Sequence, residues 1–140
     1  MDVASVADFY QRLGKNNLDT LGEIYHNDVV FEDPAHKLSG LNSLEAYFHS
    51  MYSNVNSCHF EILSADQVDQ RGYIKWLMTL SHPKLSSGNS IEVEGLTFVE
   101  FRDGKVIHHR DYFDLGAMLY EHLPLLGRVV STIRRKLGQA

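Results

Sequence analysis

The chain has 140 residues and a formal net charge of −5, from 18 acidic and 13 basic side chains. This length predicts one domain, and the negative charge opposes binding to a nucleic-acid backbone. A hydrophobic fraction of 44% with 22% charged residues is typical of globular proteins. Neither a signal-peptide pattern nor a membrane-spanning apolar segment is present, so we expect a cytoplasmic location and no membrane partner. Cys58 is the only cysteine, which excludes an intrachain disulfide and a multi-thiolate metal site.

The first third of the sequence is predicted to be mainly helical. A first helix has Asp2 as its cap, Gly14 near its end, and one apolar face made by Val3, Val6, Ala7, Tyr10 and Leu13. A second short helix is predicted around residues 18–24. It is followed by a strand that ends at Pro34, because proline has no N–H for a sheet. A capping-box pattern at residues 42–45 predicts the start of a third helix.

From residue 59 to residue 113 the sequence predicts four strands, at 59–68, 72–81, 90–101 and 105–113. Asp103-Gly104 is a strong signal for a tight hairpin, and hairpins in succession predict a mainly antiparallel sheet. The element order favours an α+β fold in which a strongly curved sheet wraps around the N-terminal helices and forms a conical pocket. We assign residues 1–123 to this domain and residues 124–140 to a helical extension of it.

The C-terminal extension is predicted to be an amphipathic helix that begins at Pro124. Its apolar stripe comprises Leu126, Val129, Val130, Ile133 and Leu137, and its cations are Arg128, Arg134, Arg135 and Lys136. Four cations on an acidic chain are a weak basis for membrane or nucleic-acid binding. We expect the stripe to pack on the sheet or on a second subunit.

The candidate catalytic residues cluster at strand ends. Alternation along the last strand places His109, Asp111 and Phe113 on one face. A carboxylate beside an imidazole in an apolar pocket can exchange protons with a substrate; the alternative is a solvated strand end or a dimer contact. Asp33 and His36 flank Pro34, where they form a second acid/base or a substrate clamp, or else a turn-making aspartate and a solvated histidine, the latter being favoured for His36.

Aromatic and methionine side chains on the strands are candidate pocket walls, with a plain core as the alternative. The proposed substrate-binding residues are Phe31, His36, Trp76, Met78, Phe98 and Phe113. His109 and Asp111 could contribute two metal ligands from one strand face, with His36 as a third. Since no further ligand spacing supports such a site, we predict no metal and no cofactor.

Two segments resemble a known family. Residues 24–34 read Ile-Tyr-His-Asn-Asp-Val-Val-Phe-Glu-Asp-Pro, and residues 101–115 read Phe-Arg-Asp-Gly-Lys-Val-Ile-His-His-Arg-Asp-Tyr-Phe-Asp-Leu. Together they resemble the SnoaL-like branch of the nuclear transport factor 2-like superfamily, and the second is closest to limonene-epoxide hydrolase-like proteins. The resemblance implies that Asp111 is a pocket acid and that Asp33 lies near a substrate- or water-orienting position.

The sequence lacks some of the catalytic residues that the resemblance to epoxide hydrolases and ketosteroid isomerases would imply. The middle strand at residues 73–80 has no arginine and no carboxylate, so the Asp–Arg–Asp set of the epoxide hydrolases is incomplete. A rough alignment places Thr97 where ketosteroid isomerases carry an acid that stabilises an oxyanion. Neither chemistry transfers intact.

The leading hypothesis is therefore a small-molecule enzyme of isomerase, cyclase, dehydratase or hydrolase type. It would act by acid/base catalysis on an apolar substrate of cyclic or polyketide-like kind, with Asp111 transferring the proton and His109 or Asp33 assisting. The alternative is a non-catalytic ligand-binding or interaction module of the same fold. Apolar side chains on both faces of the long strands, such as Leu96 and Phe98, predict a homodimer through the sheet face.

Overall fold

The computed structural model describes residues 2–118 and 126–139, apart from the side chains of residues 117, 118 and 126. The helices are α1 (Val3–Arg12), α2 (Leu21–Ile24), α3 (Leu41–Asn54), α4 (Leu115–Met118) and α5 (Leu126–Gly138). The strands are β1 (Tyr25–Glu32), β2 (Lys37–Ser39), β3 (Ser57–Val68), β4 (Arg71–Ser81), β5 (Ile91–Arg102) and β6 (Lys105–Phe113). Each of the four long strands lies within two residues of its predicted bounds.

The described strands form one curved, unclosed sheet in the order β2-β1-β6-β5-β4-β3. Strands β3 to β6 pair antiparallel through successive hairpins, whereas β1 pairs with β6 in parallel. The predicted α+β class with a mainly antiparallel sheet is confirmed. The parallel pair was not predicted, and it matters because it places the end of β1 beside the end of β6.

The inner face of the sheet is apolar because its strands alternate. On β4 the buried side chains are Ile74, Trp76, Met78 and Leu80. Helix α1 packs on β3 and β4, and α3 packs on β1. The core therefore lies between the concave face of the sheet and the N-terminal helices.

The two predicted helix starts have different outcomes. Asp2 caps α1 as expected, since its carboxylate accepts a hydrogen bond from the backbone N–H of Ser5 at 3.0 Å. The capping-box prediction at residues 42–45 is wrong, because α3 begins at Leu41 with Gly40 as its N-cap and no side-chain cap. Gly40 has a φ of +92°, which favours glycine, and its N–H donates to the carbonyl oxygen of Val29 at 2.7 Å.

Strand β3 is irregular where it pairs with β4. The register shifts between Ile62 and Ser64, so Leu63 is an extra residue opposite no partner. At the other end of the sheet, β2 is only three residues long. Neither edge therefore offers a long, regular strand.

The C-terminal helix forms over Leu126–Gly138, whereas Pro124 lies outside the described residues. The expected packing of its apolar stripe on the sheet is not observed, because Val129, Ile133 and Leu137 are all at least half exposed in the single chain. A second subunit as the partner of this stripe stays a prediction. Within residues 2–118 and 126–139, we find no helix with the length and hydropathy required to span a bilayer.

Substitution of Gly95 tests the packing of the Trp76 indole against the backbone of β5. It pairs with Trp76 across β4 and β5, and a Cβ at this position would lie 2.3 Å from an indole ring carbon. Gly95→Val should displace the ring and lower the free energy of unfolding by about 1–3 kcal/mol. Urea unfolding followed by the fluorescence of Trp76, the only tryptophan, measures this.

The matched control is Gly14→Val, since a Cβ at Gly14 would meet nothing within 4 Å. Wild-type stability in the Gly95 variant, with unchanged tryptophan emission, would contradict the tight approach of the indole to the backbone.

Candidate functional site

A cavity of about 570 Å³ lies between the concave face of the sheet and helices α1 and α3. This volume is typical of small-molecule sites. Its apolar walls are Phe31, Phe48, Met51, Val55, Phe60, Trp76, Met78, Leu80, Leu85, Phe113 and Leu115. The titratable side chains that line it are Tyr10, Asp33, His36, Tyr47, Cys58, His82, Lys84 and Asp111.

The side chain of Asp111 is held at the cavity wall by two hydrogen bonds to the same oxygen. Oδ1 lies 2.5 Å from the hydroxyl of Thr97 and 2.7 Å from Nε2 of His109. The indole N–H of Trp76 donates to the Thr97 hydroxyl oxygen at 2.8 Å. Because an indole N–H can only donate, the one proton of the Thr97 hydroxyl is free to go to Asp111. Trp76 and Thr97 therefore fix the direction in which this carboxylate is hydrogen-bonded.

His109 lies behind Asp111 and has no exposed surface. Its Nδ1 is 2.9 Å from the hydroxyl of Tyr25, which in turn is hydrogen-bonded to the hydroxyl of Tyr10. The ring of Phe31 covers the imidazole with ring centroids 4.6 Å apart. Both nitrogens of this buried histidine are thus paired, as an apolar environment requires.

The two tyrosines behind His109 are neutral donors. Burial raises the pKa of Tyr10 and of Tyr25 well above the ordinary value. When Asp111 is ionised, Nε2 of His109 donates to it; in the neutral imidazole Nδ1 then accepts from Tyr25, and Tyr25 accepts from Tyr10. The network thereby selects one tautomer of the imidazole.

This arrangement leaves Oδ2 of Asp111 without a hydrogen-bond partner among the described residues. Asp111 lines the cavity, and 18% of its side-chain surface is exposed. A proton on Oδ2 preserves both hydrogen bonds of Oδ1, so the carboxyl group can gain or lose this proton without rearranging its neighbours. Chemically, it can act as an acid or as a base toward a molecule in the cavity.

Asp33 is the second carboxylate of the site, and its oxygens are already occupied. Oδ1 accepts the backbone N–H groups of Ala35 and His36 at 2.8 and 2.7 Å, and Oδ2 accepts the hydroxyl of Tyr47 at 2.7 Å. The ring of His36 lies 3.1 Å from the same Oδ1. The turn considered for Asp33 is present, and the same carboxylate holds Tyr47, whereas a role of Asp33 as a second acid/base or substrate clamp stays a prediction.

The two carboxylates have matching positions on neighbouring segments, because Asp33 directly follows β1 and Asp111 is on β6. Phe31 on β1 pairs with His109 on β6, and each aspartate follows two residues later in its own segment. Burial raises the pKa of Tyr47 well above its ordinary value, and the charges of Asp33 and Asp111 add to the rise. All three side chains line the cavity, and we call this part of it the acidic end (Asp33, Tyr47 and Asp111).

Most of the predicted pocket residues line the cavity. These are Asp111, Asp33, His36, Phe31, Trp76, Met78 and Phe113. His109 shares their face but is enclosed behind Asp111. The placement of Phe98 is corrected: strand alternation puts it opposite Thr97, on the outer face, where its ring contacts those of Tyr73 and His108.

The sequence reasoning missed the three tyrosines that complete the site. Tyr10 and Tyr25 precede His109 by 99 and 84 positions, so no local spacing links them. Residues 2–118 and 126–139 hold no group of three His, Cys, Asp or Glu side chains placed for a metal ion. Burial raises the pKa of the Cys58 thiol to about 11, so this cavity residue is protonated at neutral pH.

The hydrogen bonds of Thr97 generate a test. Thr97→Val keeps the shape but leaves the buried indole N–H of Trp76 without an acceptor, so the free energy of unfolding should fall by about 1–3 kcal/mol. Thr97→Ser, which keeps the hydroxyl, should stay closer to the wild type. Denaturant unfolding of the three proteins compares them, and a valine variant as stable as the serine variant would argue against the Trp76–Thr97–Asp111 arrangement.

Comparisons with known proteins show which family and which solved structures this chain is similar to. A family model described as a SnoaL-like domain matches residues 6–109. An LEH-like epoxide hydrolase from M. tuberculosis is 20% identical with a TM-score of 0.71, covering 94% of this chain and 95% of its own. A SnoaL-like polyketide cyclase from Agrobacterium tumefaciens is 14% identical with a TM-score of 0.65, covering 82% and 90%.

A protein from Catenulispora acidiphila with a ketosteroid isomerase-like fold, solved with trimethylamine, is 18% identical with a TM-score of 0.73, covering 87% of this chain and 92% of its own. No curated protein matches the sequence. These structural likenesses show the fold, whereas the family match covers most of the chain, including β1 and β6 as far as His109. The chain belongs to the SnoaL-like family, on the nuclear transport factor 2-like fold.

Proposed function

We propose that this protein is a small-molecule enzyme in which Asp111 transfers a proton to or from an apolar substrate. One observation carries the proposal: Oδ1 is fixed by Thr97 and His109 while Oδ2 has no partner among the described residues and the group lines a cavity of about 570 Å³. Positioned acids of this kind contribute about 10²–10⁴-fold to a reaction rate. The chemistry needs no cofactor.

The other polar groups support this step. His109, held by Tyr25, keeps the carboxyl of Asp111 in one orientation and supplies a hydrogen bond to its ionised form. Asp33 acts as a positioning residue, because its oxygens are taken by the turn and by Tyr47. Tyr47 lines the cavity and donates its hydroxyl proton to Asp33, so its oxygen is available to accept a hydrogen bond from a substrate.

The walls of the cavity favour some reaction types over others. The inward positions of β4 are Ile74, Trp76, Met78 and Leu80, so this strand gives the cavity no charged side chain. Hydrolysis by a water molecule that an arginine and two aspartates activate is therefore disfavoured, because β4 supplies neither the arginine nor the carboxylate of that set. Isomerisation, cyclisation or dehydration needs a proton removed at one position of the substrate and delivered at another, and a single group that takes the proton and then returns it can do both. Aromatic walls fit a cyclic or polyketide-like substrate.

The absence of a charged group on the inward face of β4 also supports a second candidate, a non-catalytic binding module of the same fold. In that case the hydrogen bonds of Asp111 would serve stability, or would recognise a polar group of the ligand. Replacing Asp111 separates the two.

The outer face of the sheet supports a homodimer. Leu96 and Tyr112 are 39% and 54% exposed and pair across β5 and β6, and Phe98 follows Leu96 two residues along β5 on the same face. Burying such side chains contributes about 1.5–3 kcal/mol each. We therefore propose assembly through the sheet face, and a cytoplasmic location stays a prediction.

Asp111→Asn tests the catalytic proposal. Asparagine keeps an Oδ1 that accepts from Thr97 and His109, so the thermal midpoint should change little. The amide cannot exchange the proton, so turnover of any substrate found among polycyclic ketones and polyketide-like esters should fall at least ~10²-fold. The control is Asp66→Asn, at an exposed position of β3. Unchanged turnover in the Asp111 variant would favour the binding module.

Sedimentation tests the assembly. The wild-type chain of 16.0 kDa should sediment as a dimer at micromolar concentration. Leu96→Lys should shift it toward the monomer, because a cation would be buried at the contact. A monomeric wild type would overturn the homodimer.

A further inference from the structure

The cavity has a second polar region, remote from the acidic end. Lys84 and His82 line the cavity in the loop after β4, and we call this region the basic end. Among the described residues that line the cavity, Lys84 is the only lysine or arginine. The two ends therefore carry opposite charge.

The separation of the two ends follows from the strands. Trp76 binds the Thr97 hydroxyl that holds Asp111, and Leu80 lies four residues further along β4, about 13 Å at the usual rise per residue. Lys84 lies beyond Leu80. The inner wall between the ends is apolar, formed by Phe60, Met78 and Leu80.

The backbone of the basic end is held in place by a buried side chain and by hydrogen bonds. Leu85 is buried and lines the cavity, which anchors the loop directly after Lys84. The backbone N–H of Lys84 donates to Nδ1 of His82 at 3.1 Å, and the N–H of Leu85 donates to the carbonyl oxygen of His82 at 3.1 Å. Because Nδ1 accepts, a neutral His82 carries its proton on Nε2. The donors that these two residues carry are the ammonium group of Lys84, which is exposed, and the Nε2–H of His82.

We propose that the ligand of this cavity is an elongated apolar molecule with a carboxylate at one end, bound by Lys84 and His82. The acidic end repels an anion, which orients the molecule with its uncharged part at Asp111. One cation and one neutral donor suit the single charge of a carboxylate, whereas phosphate sites collect more donors. This inference names the substrate class for the proposed function, and so rests on it.

Fluorescence titration with two probes tests the proposal without any turnover. The probes are cis-parinaric acid and its methyl ester, which share an apolar chain and differ in charge. Trp76 lines the cavity, and its quenching reports occupancy. At pH 7.5 the acid should bind about three- to tenfold more tightly than the ester, the range for a partly exposed ion pair with an added hydrogen bond.

Lys84→Gln should remove the preference for the acid, and Lys84→Arg should keep it. The matched control is Lys75→Gln, because Lys75 points to the outer face and pairs with Glu94 at 3.1 Å. Asp111→Asn should retain or strengthen binding of the acid, so a loss of turnover and a loss of carboxylate recognition are measured separately.

Three results would overturn the proposal. These are equal affinity of the wild type for acid and ester, a preference that survives Lys84→Gln, and failure of both probes to quench Trp76. Since Lys84 is exposed, unchanged thermal midpoints of its variants are expected and exclude unfolding as the cause of lost binding.

Discussion

A histidine enclosed in an apolar core must find a partner for each ring nitrogen within the protein, and His109 imposes this constraint here. Its ring is covered by Phe31, with the hydroxyl of Tyr25 on one side and the carboxylate of Asp111 on the other. Leaving either nitrogen unpaired would cost about 1–3 kcal/mol, a large fraction of the stability of a small domain. The parallel pairing of β1 with β6 satisfies the constraint, since it brings Tyr25 and Phe31 beside the strand that carries the histidine.

The hydrogen bond from His109 also makes the two aspartates of the acidic end differ in how their oxygens are used. Asp111 accepts both its hydrogen bonds through Oδ1, which leaves Oδ2 without a partner among the described residues. Asp33 accepts hydrogen bonds through both oxygens, from the turn and from Tyr47. Two carboxylates with nearly the same position in the fold thus have different freedom. Both groups line the cavity, so the number of free carboxylate oxygens distinguishes them. Asp111 is proposed to exchange a proton, whereas Asp33 holds Tyr47 in place.

Sequence reasoning predicted those parts of the fold that depend on local patterns. The alternation of β4 and the Asp103-Gly104 turn locate the hairpins, and the alternation of β6 predicts the face of the sheet on which Asp111 lies. It failed where the answer depends on distant pairing. Tyr25 meets His109 across 84 positions, and only the register of the sheet brings them together. Phe98 was misplaced because an aromatic residue on a strand with apolar side chains on both faces does not reveal which face it occupies.

The unclosed sheet has a consequence for how the chain behaves in a crowded solution. An open edge presents unpaired backbone N–H and C=O groups on which another strand can add, and repeated addition leads to fibrils. On β3 the extra residue Leu63 interrupts the regular spacing of these groups, and β2 is too short to template a long partner. Growth by strand addition is thereby discouraged at both ends of the sheet. The sheet therefore curves around the cavity and stays open without presenting an edge strand that favours aggregation.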